Sequence, residues 1–175
     1  MGAVEYIQGG AAVGAMRRDE IDAAIAEAVA PFDVEEGENP YDIQRDLQEM
    51  MQANVGIIRT ASELEDAIAQ LDVFTERVKN IKVKGGRAYN PGWNLATDLP
   101  AMLTVSKCVA LGANLRKESR GGHTREDFPK ADAHFGTFNL AHQSQGGNWD
   151  SPIVTNESPL LPVPEELKAL LEEGK

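Results

Sequence analysis

Ser119, Arg120, His123, Arg125 and Asp127 fall within nine residues, and no other stretch gathers as many groups with directional hydrogen-bonding chemistry. An arginine fork pairs a carboxylate through two parallel N–H···O bonds, and an imidazole holds or gives up a proton near neutral pH. Gly121-Gly122 lets the backbone leave a charged helix end through positive φ, and Pro129 closes the segment. Two readings fit this spacing. One is a helix C-cap followed by a solvated basic loop whose arginines pair with acids of the same bundle. The other is a loop docked against something anionic or against another domain. If the pairs are exposed, each contributes about 0–1 kcal/mol. Arg120→Ala and Arg125→Ala are then expected to leave the isolated chain nearly as stable.

Other chemistry is sparse. His123, His134 and His142 have no His or Cys partner at a metal-ligand spacing, so no metal site is expected. The single Cys108 rules out an internal disulfide and falls in an apolar helical pattern, as a buried structural thiol would. No GxSxG, HExxH or P-loop occurs. Gly9-Gly10-Ala11-Ala12-Val13-Gly14 lacks the preceding strand and the spacing of a dinucleotide loop, and reads as a helix end plus linker. No catalytic or cofactor-binding residue is assigned.

The elements that must position the loop are mainly helical. The 175 residues carry a net charge of −11, concentrated in residues 17–50 with eleven acids and three bases. Residues 107–130 and 72–87 are locally basic. Overall acidity argues against nucleic acid as a partner. No apolar run approaches the roughly 20 residues that span a bilayer, and the first ten residues do not read as a signal peptide.

Residues 1–38 read as a helical lead-in and acidic linker. Ala3, Val4 and Ile7 share a helical face that ends at Gly9-Gly10, and Asp19 offers the N-cap of a helix stopping before Pro31. Residues 39–129 read as three helices. Asn39 caps the first, with Pro40 at its first position and Ile43, Leu47, Met50 and Met51 as its stripe, until Asn54-Val55-Gly56 breaks it. Thr60 and Glu63 form a capping box ahead of Leu64, Ala67, Ile68, Leu71, Phe74 and Val78. Asn90-Pro91-Gly92 marks a turn in a loop over 80–97, and Trp93 packs across the bundle. A third helix is expected from about Asp98 to Ser119, with Met102, Val105, Val109 and Ala113 buried and Pro100 in its first turn. Ala110, Gly112 and Ala113 suggest close approach of another helix. In residues 130–175, the alternation of 135–142, the turn at 146–148 and a return strand at 152–155 make a hairpin. Pro164 opens a short helix carrying Leu167, Leu170 and Leu171. The fold class is therefore mainly α: an antiparallel, spectrin-repeat-like three-helix bundle with a C-terminal β-hairpin and terminal helix.

Two segments also carry a family resemblance. Ser119-Arg120-Gly121-Gly122-His123-Thr124-Arg125-Glu126-Asp127-Phe128-Pro129 resembles a stretch near the end of succinate dehydrogenase and fumarate reductase flavoprotein subunits. Asn54-Val55-Gly56-Ile57-Ile58-Arg59-Thr60 resembles a signature of their helical C-terminal region, as do Lys79–Val83 and Arg87–Asn90. The resemblance covers about residues 40–130. It implies a C-terminal structural domain of an FAD enzyme that moves a hydride between succinate or fumarate and its flavin. Its partners would be the enzyme's own N-terminal FAD and capping domains, an iron–sulfur subunit and a membrane anchor subunit. The complex would lie on the cytoplasmic side of the cell membrane as a peripheral assembly. FAD and substrate would be held by upstream segments, so this chain alone is expected to be inactive and cofactor-free. Residues 119–127 would be an interdomain contact loop. The alternatives are the C-terminal domain of L-aspartate oxidase and a stand-alone helical module with an anion-binding loop.

Overall fold

The computed structural model describes residues 3–9, 17–164 and 167. Helix α1 (Ala3–Gln8) ends at Gly9; residues 10–16, including the rest of the glycine-rich segment, lie outside the described residues. Helix α2 (Arg18–Val29) has Arg17 at its N-cap position, without a side-chain cap bond and two residues ahead of the expected Asp19, which sits inside the first turn. A 3₁₀ turn (Ala30–Phe32) follows, and Phe32 meets Trp93 edge-on at 5.4 Å. Trp93 Nε1 donates to Ala28 O (2.6 Å), so this indole joins the lead-in to the bundle. Arg77 completes the join by binding Glu38 and Asp46, each at 2.7 Å.

Three helices form the core. In α3 (Pro40–Asn54) the Asn39 side chain accepts from Tyr41 N, and Ile43, Leu47 and Met50 are buried. In α4 (Ala61–Lys79) the capping box is closed: Glu63 N donates to Thr60 Oγ1 (3.4 Å) and Thr60 N to Glu63 Oε2 (2.8 Å). Leu64, Ala67, Leu71, Phe74 and Val78 face α3 and the third helix.

That third helix, α5, runs Pro91–Leu115 rather than 98–119. Asn90 caps it by accepting from Trp93 N (3.1 Å), with Pro91 at the first position, so the Asn-Pro-Gly segment opens a helix instead of a turn. Pro100 consequently lies inside the helix. The buried stripe is Leu95, Ala96, Leu99, Leu103, Ala110 and Ala113; Val105 and Val109 are exposed, which corrects the expected face. By length and composition α5 could cross a bilayer, unlike the sequence expectation, but its inner face is packed on α3 and α4.

Two strand pairs complete the fold. Strands β1 (Ile58–Arg59) and β2 (Thr124–Arg125) pair in parallel, Ile58 with Thr124 and Arg59 with Arg125. A 3₁₀ turn (His134–Gly136) precedes β3 (Phe138–Ser144), which pairs antiparallel with β4 (Ile153–Pro159). The hairpin is anchored on the bundle by Trp149, which packs against the core and accepts from Thr104 Oγ1 (3.3 Å), while Phe138 is buried against His134 and Phe135. A Cβ on Gly112 would stand 3.0 Å from His142 Nε2, so this glycine admits a strand and not the helix expected there. Leu170 and Leu171 of the expected terminal helix lie outside the described residues.

Candidate functional site: the arginine–histidine loop

Helix α5 stops at Leu115, before the charged run, and its carbonyl end is where the loop begins. Arg125 is fully buried beneath it. Its Nη1 donates to Ala113 O (2.8 Å) and Asn114 O (3.1 Å), two carbonyls that the helix leaves without partners. Its Nε and Nη2 grip Asp127 at 2.8 and 2.7 Å, a bidentate pair, and its guanidinium also lies 5.1 Å from the Phe128 ring. Asp127 Oδ2 in turn accepts from Ala61 N at the start of α4 (3.0 Å). A cation thus sits at the carbonyl end of one helix and an anion at the amide end of another, each on the favourable side of the helix dipole. The Arg125 guanidinium holds the Asp127 carboxyl down at about 2 against its burial.

Glu118 is the second organiser, and the sequence reading passed over it. It is completely buried. Its Oε1 accepts from Arg116 Nε (2.8 Å) and Arg120 Nε (2.9 Å), its Oε2 from Arg120 Nη2 (3.1 Å) and Asp132 N (2.8 Å). These bonds, Arg120 first, lower its pKa to about 2. Arg116 Nη2 also reaches Phe135 O and Arg120 Nη2 reaches Asp132 O, which fastens the tail to the end of α5. A Glu two residues from each of two arginines was the available sequence signal.

Ser119 bridges the loop: its Oγ accepts from Arg125 N (2.9 Å) and donates to Phe128 O (2.9 Å). Gly121, at φ +58, turns the chain so that Arg120 and His123 exchange backbone bonds; it is a loop turn, not the helix C-cap expected. His123 is half-buried. Its Nδ1 accepts from Arg59 Nη1 (2.8 Å), which makes Nε2 the protonated nitrogen that donates to Arg116 O (2.9 Å). Burial, followed by the charges of Arg59, Arg125 and Arg116, pushes its pKa down.

The structure therefore brings Ser119, His123, Arg125 and Asp127 into one lattice with Glu118 and Arg59. Of the five, Arg120 and Asp127 reach the exposed surface, each while paired. The expectation of exposed pairs fails for Arg125, whose ligands are all inside its own chain. Beside this lattice lies an open cavity of about 550 Å³ lined by Arg59, Val105, Cys108, Val109, Arg116 and His123. Cys108 is only partly buried there, and burial pushes its thiol up.

Comparison with known proteins fits this geometry. The family described as fumarate reductase flavoprotein C-term matches residues 44–158. The chain is 41% identical over 96 residues to the fumarate reductase flavoprotein subunit of Helicobacter pylori strain J99, covering 54% of this chain and 13% of that protein. It is 30% identical over 115 residues to the succinate dehydrogenase flavoprotein subunit of Coxiella burnetii, covering 65% and 20%. The solved Mycobacterium smegmatis Sdh1 in complex with UQ1 superimposes with a TM-score of 0.91 at 38% identity, over 99% of this chain and 29% of that one. Adenylylsulfate reductase of Archaeoglobus fulgidus, 16% identical with a TM-score of 0.77 over 93% of this chain and 28% of that one, shares the fold. The chain spans only 13% to 20% of the length of the two curated relatives. The match over most of the bundle, the loop and the hairpin shows that the chain belongs to the family of fumarate reductase and succinate dehydrogenase flavoprotein C-terminal domains.

Proposed function

We propose that this chain serves as the helical C-terminal domain of an FAD-dependent flavoprotein that interconverts succinate and fumarate, and that its contribution is structural. The observation that carries this reading is the family match over residues 44–158. The two motif segments behind the resemblance meet as β1 and β2, so the sequence likeness and the tertiary contact concern one unit.

The described residues do not fit FAD itself. A dinucleotide site needs a strand that enters a helix through a glycine-rich turn. Strand β1 enters α4 through Thr60, with no glycine between them. The guanidiniums of Arg116, Arg120 and Arg125 are already committed to Glu118 and Asp127. FAD and the dicarboxylate accordingly belong to upstream segments, and no chemical step is assigned to this chain. Those segments are its first partners, with an iron–sulfur subunit and a membrane anchor subunit beyond them, in an assembly peripheral to the cytoplasmic face of the membrane. Ser119, Arg120, His123, Arg125 and Asp127 serve the interdomain contact by fixing the loop's shape, with Arg120 facing out. Residues 1–38, 39–129 and 130–175 act as lead-in, bundle and tail.

The L-aspartate oxidase and anion-binding-loop readings are not favoured, the latter because the loop's own arginines are paired internally. The test is succinate:dye oxidoreduction together with a flavin absorption spectrum. Both are expected when the chain is joined to its upstream segments and neither with the chain alone. Tight flavin and succinate oxidation by the chain alone would overturn the reading.

A further inference from the structure

Among the described residues, every arginine around the loop has an acid partner except Arg59. Its Nε donates to Gly56 O (2.6 Å) and Val55 O (3.3 Å), and its Nη1 to His123 Nδ1 (2.8 Å). Nη2 has no hydrogen-bond partner among the described residues. Since no buried side-chain nitrogen or oxygen lacks one there, Nη2 faces solvent. One hydrogen on Nη1 and both on Nη2 remain free, the fork that a carboxylate accepts end-on. Arg116 and Arg125, whose charges act on His123 with that of Arg59, each carry a carboxylate already, Glu118 and Asp127, and burial together with Arg125 pushes the Arg59 pKa down. Arg59 is thus a partly desolvated cation with no carboxylate of its own among the described residues.

The surroundings say what kind of anion. Arg59 opens on the cavity whose walls include Val105 and Val109, exposed by 62% and 44%. Ile57 and Ile58, beside it in the chain, are exposed by 75% and 58%. Apolar walls around one unmatched cation complement an acidic side chain set in an apolar protein surface; a free hydrated acid gains nothing from them. We propose that Arg59, backed by His123, is the docking point for a single carboxylate carried by a protein segment that covers Arg59 and the exposed Val105–Val109 wall beside it. This stands whether or not the flavoprotein reading holds.

His123 supplies the readout, because an anion on Arg59 favours the imidazolium and raises the histidine's titration midpoint. The experiment is NMR of the arginine side-chain nitrogens and the His123 ring in this chain, titrated with acetate against chloride at constant ionic strength. Acetate is expected to give saturable shifts at Arg59 but not at the paired Arg120, and to raise the His123 midpoint. Succinate should bind within about twofold of acetate, as a single-carboxylate site requires. In Arg59→Gln both responses should vanish; if that variant does not fold, the contrast of Arg59 with Arg120 in the unaltered chain decides. The proposal is overturned by no saturable response, by an equal response at Arg120 or with chloride, or by succinate binding about tenfold tighter or more, which would make a free dicarboxylate the ligand.

Discussion

Arg125 joins two helix ends and one carboxylate from a position without solvent access. Removing it would leave Asp127 an uncompensated anion and two helix carbonyls without donors. Arg125→Ala is therefore expected to destabilise the isolated chain by about 2–4 kcal/mol in denaturant titration, because it strips charge-assisted hydrogen bonds from the two carbonyls and empties a buried volume while solvent still reaches Asp127. Arg120→Ala, at a half-exposed position, should cost clearly less. Equal small losses would mean that the buried clip contributes nothing. Protonation gives a second check. Glu118 and Asp127 have folded pKa values of about 2 against ordinary values of 4.5 and 3.8. The unfolded chain binds more protons between these limits, so their contribution is present above about pH 4.5 and is lost as pH falls toward 2. His123, lowered from 6.5, has the same sign in a higher window: its contribution is lost as pH falls below 6.5. Melting temperatures should decline in those two windows, and His123→Gln should flatten only the upper one.

At the scale of elements, the phase of α5 decides what the bundle buries. Leu99 and Leu103 point inward, whereas Val105 points to solvent two residues later, as a rotation of about 100° per residue allows. Leu99→Ala should cost about 2–5 kcal/mol by opening a cavity, and Val105→Ser should stay within about 0.5 kcal/mol. The reverse order in chemical denaturation would restore the Met102–Val105–Val109 face. The capping box of α4 offers a smaller and independent check. Thr60→Ala should cost about 1 kcal/mol, and should add to Leu99→Ala because the Thr60 cap acts within the first turn of α4.

On the scale of the whole molecule, lead-in, bundle, loop and tail are cross-tied. Trp93 holds the lead-in, Glu118 holds the tail, and Arg125 with Asp127 holds α5 to α4. Val105 and Val109 stay exposed beside Arg59. A double change, Val105→Glu with Val109→Glu, should leave the melting temperature of the chain nearly unchanged. In the longer flavoprotein it should lower that temperature and weaken flavin retention. A large loss in the isolated chain would show instead that this face is internal.

Sequence by itself determined the helical class, the starts of α3 and α4 and the family. Asn39-Pro40 and Thr60 with Glu63 act within three residues, and such short-range rules depend little on the rest of the fold. Asn90-Pro91 carried the same start signal, but the adjacent Gly92 and the later Pro100 outweighed it; of the expected stripe, Ala113 is buried and Met102 packs on the core, while Val105 and Val109 face out. Only the tertiary structure decided what the charged residues do. Arg59 and His123 lie 64 residues apart, and Asp127 and Ala61 lie 66 apart. Whether an arginine is a solvated charge, a buried clip or an unmatched cation depends on which acids packing brings within about 3 Å and which water it removes, and neither is a property of local spacing.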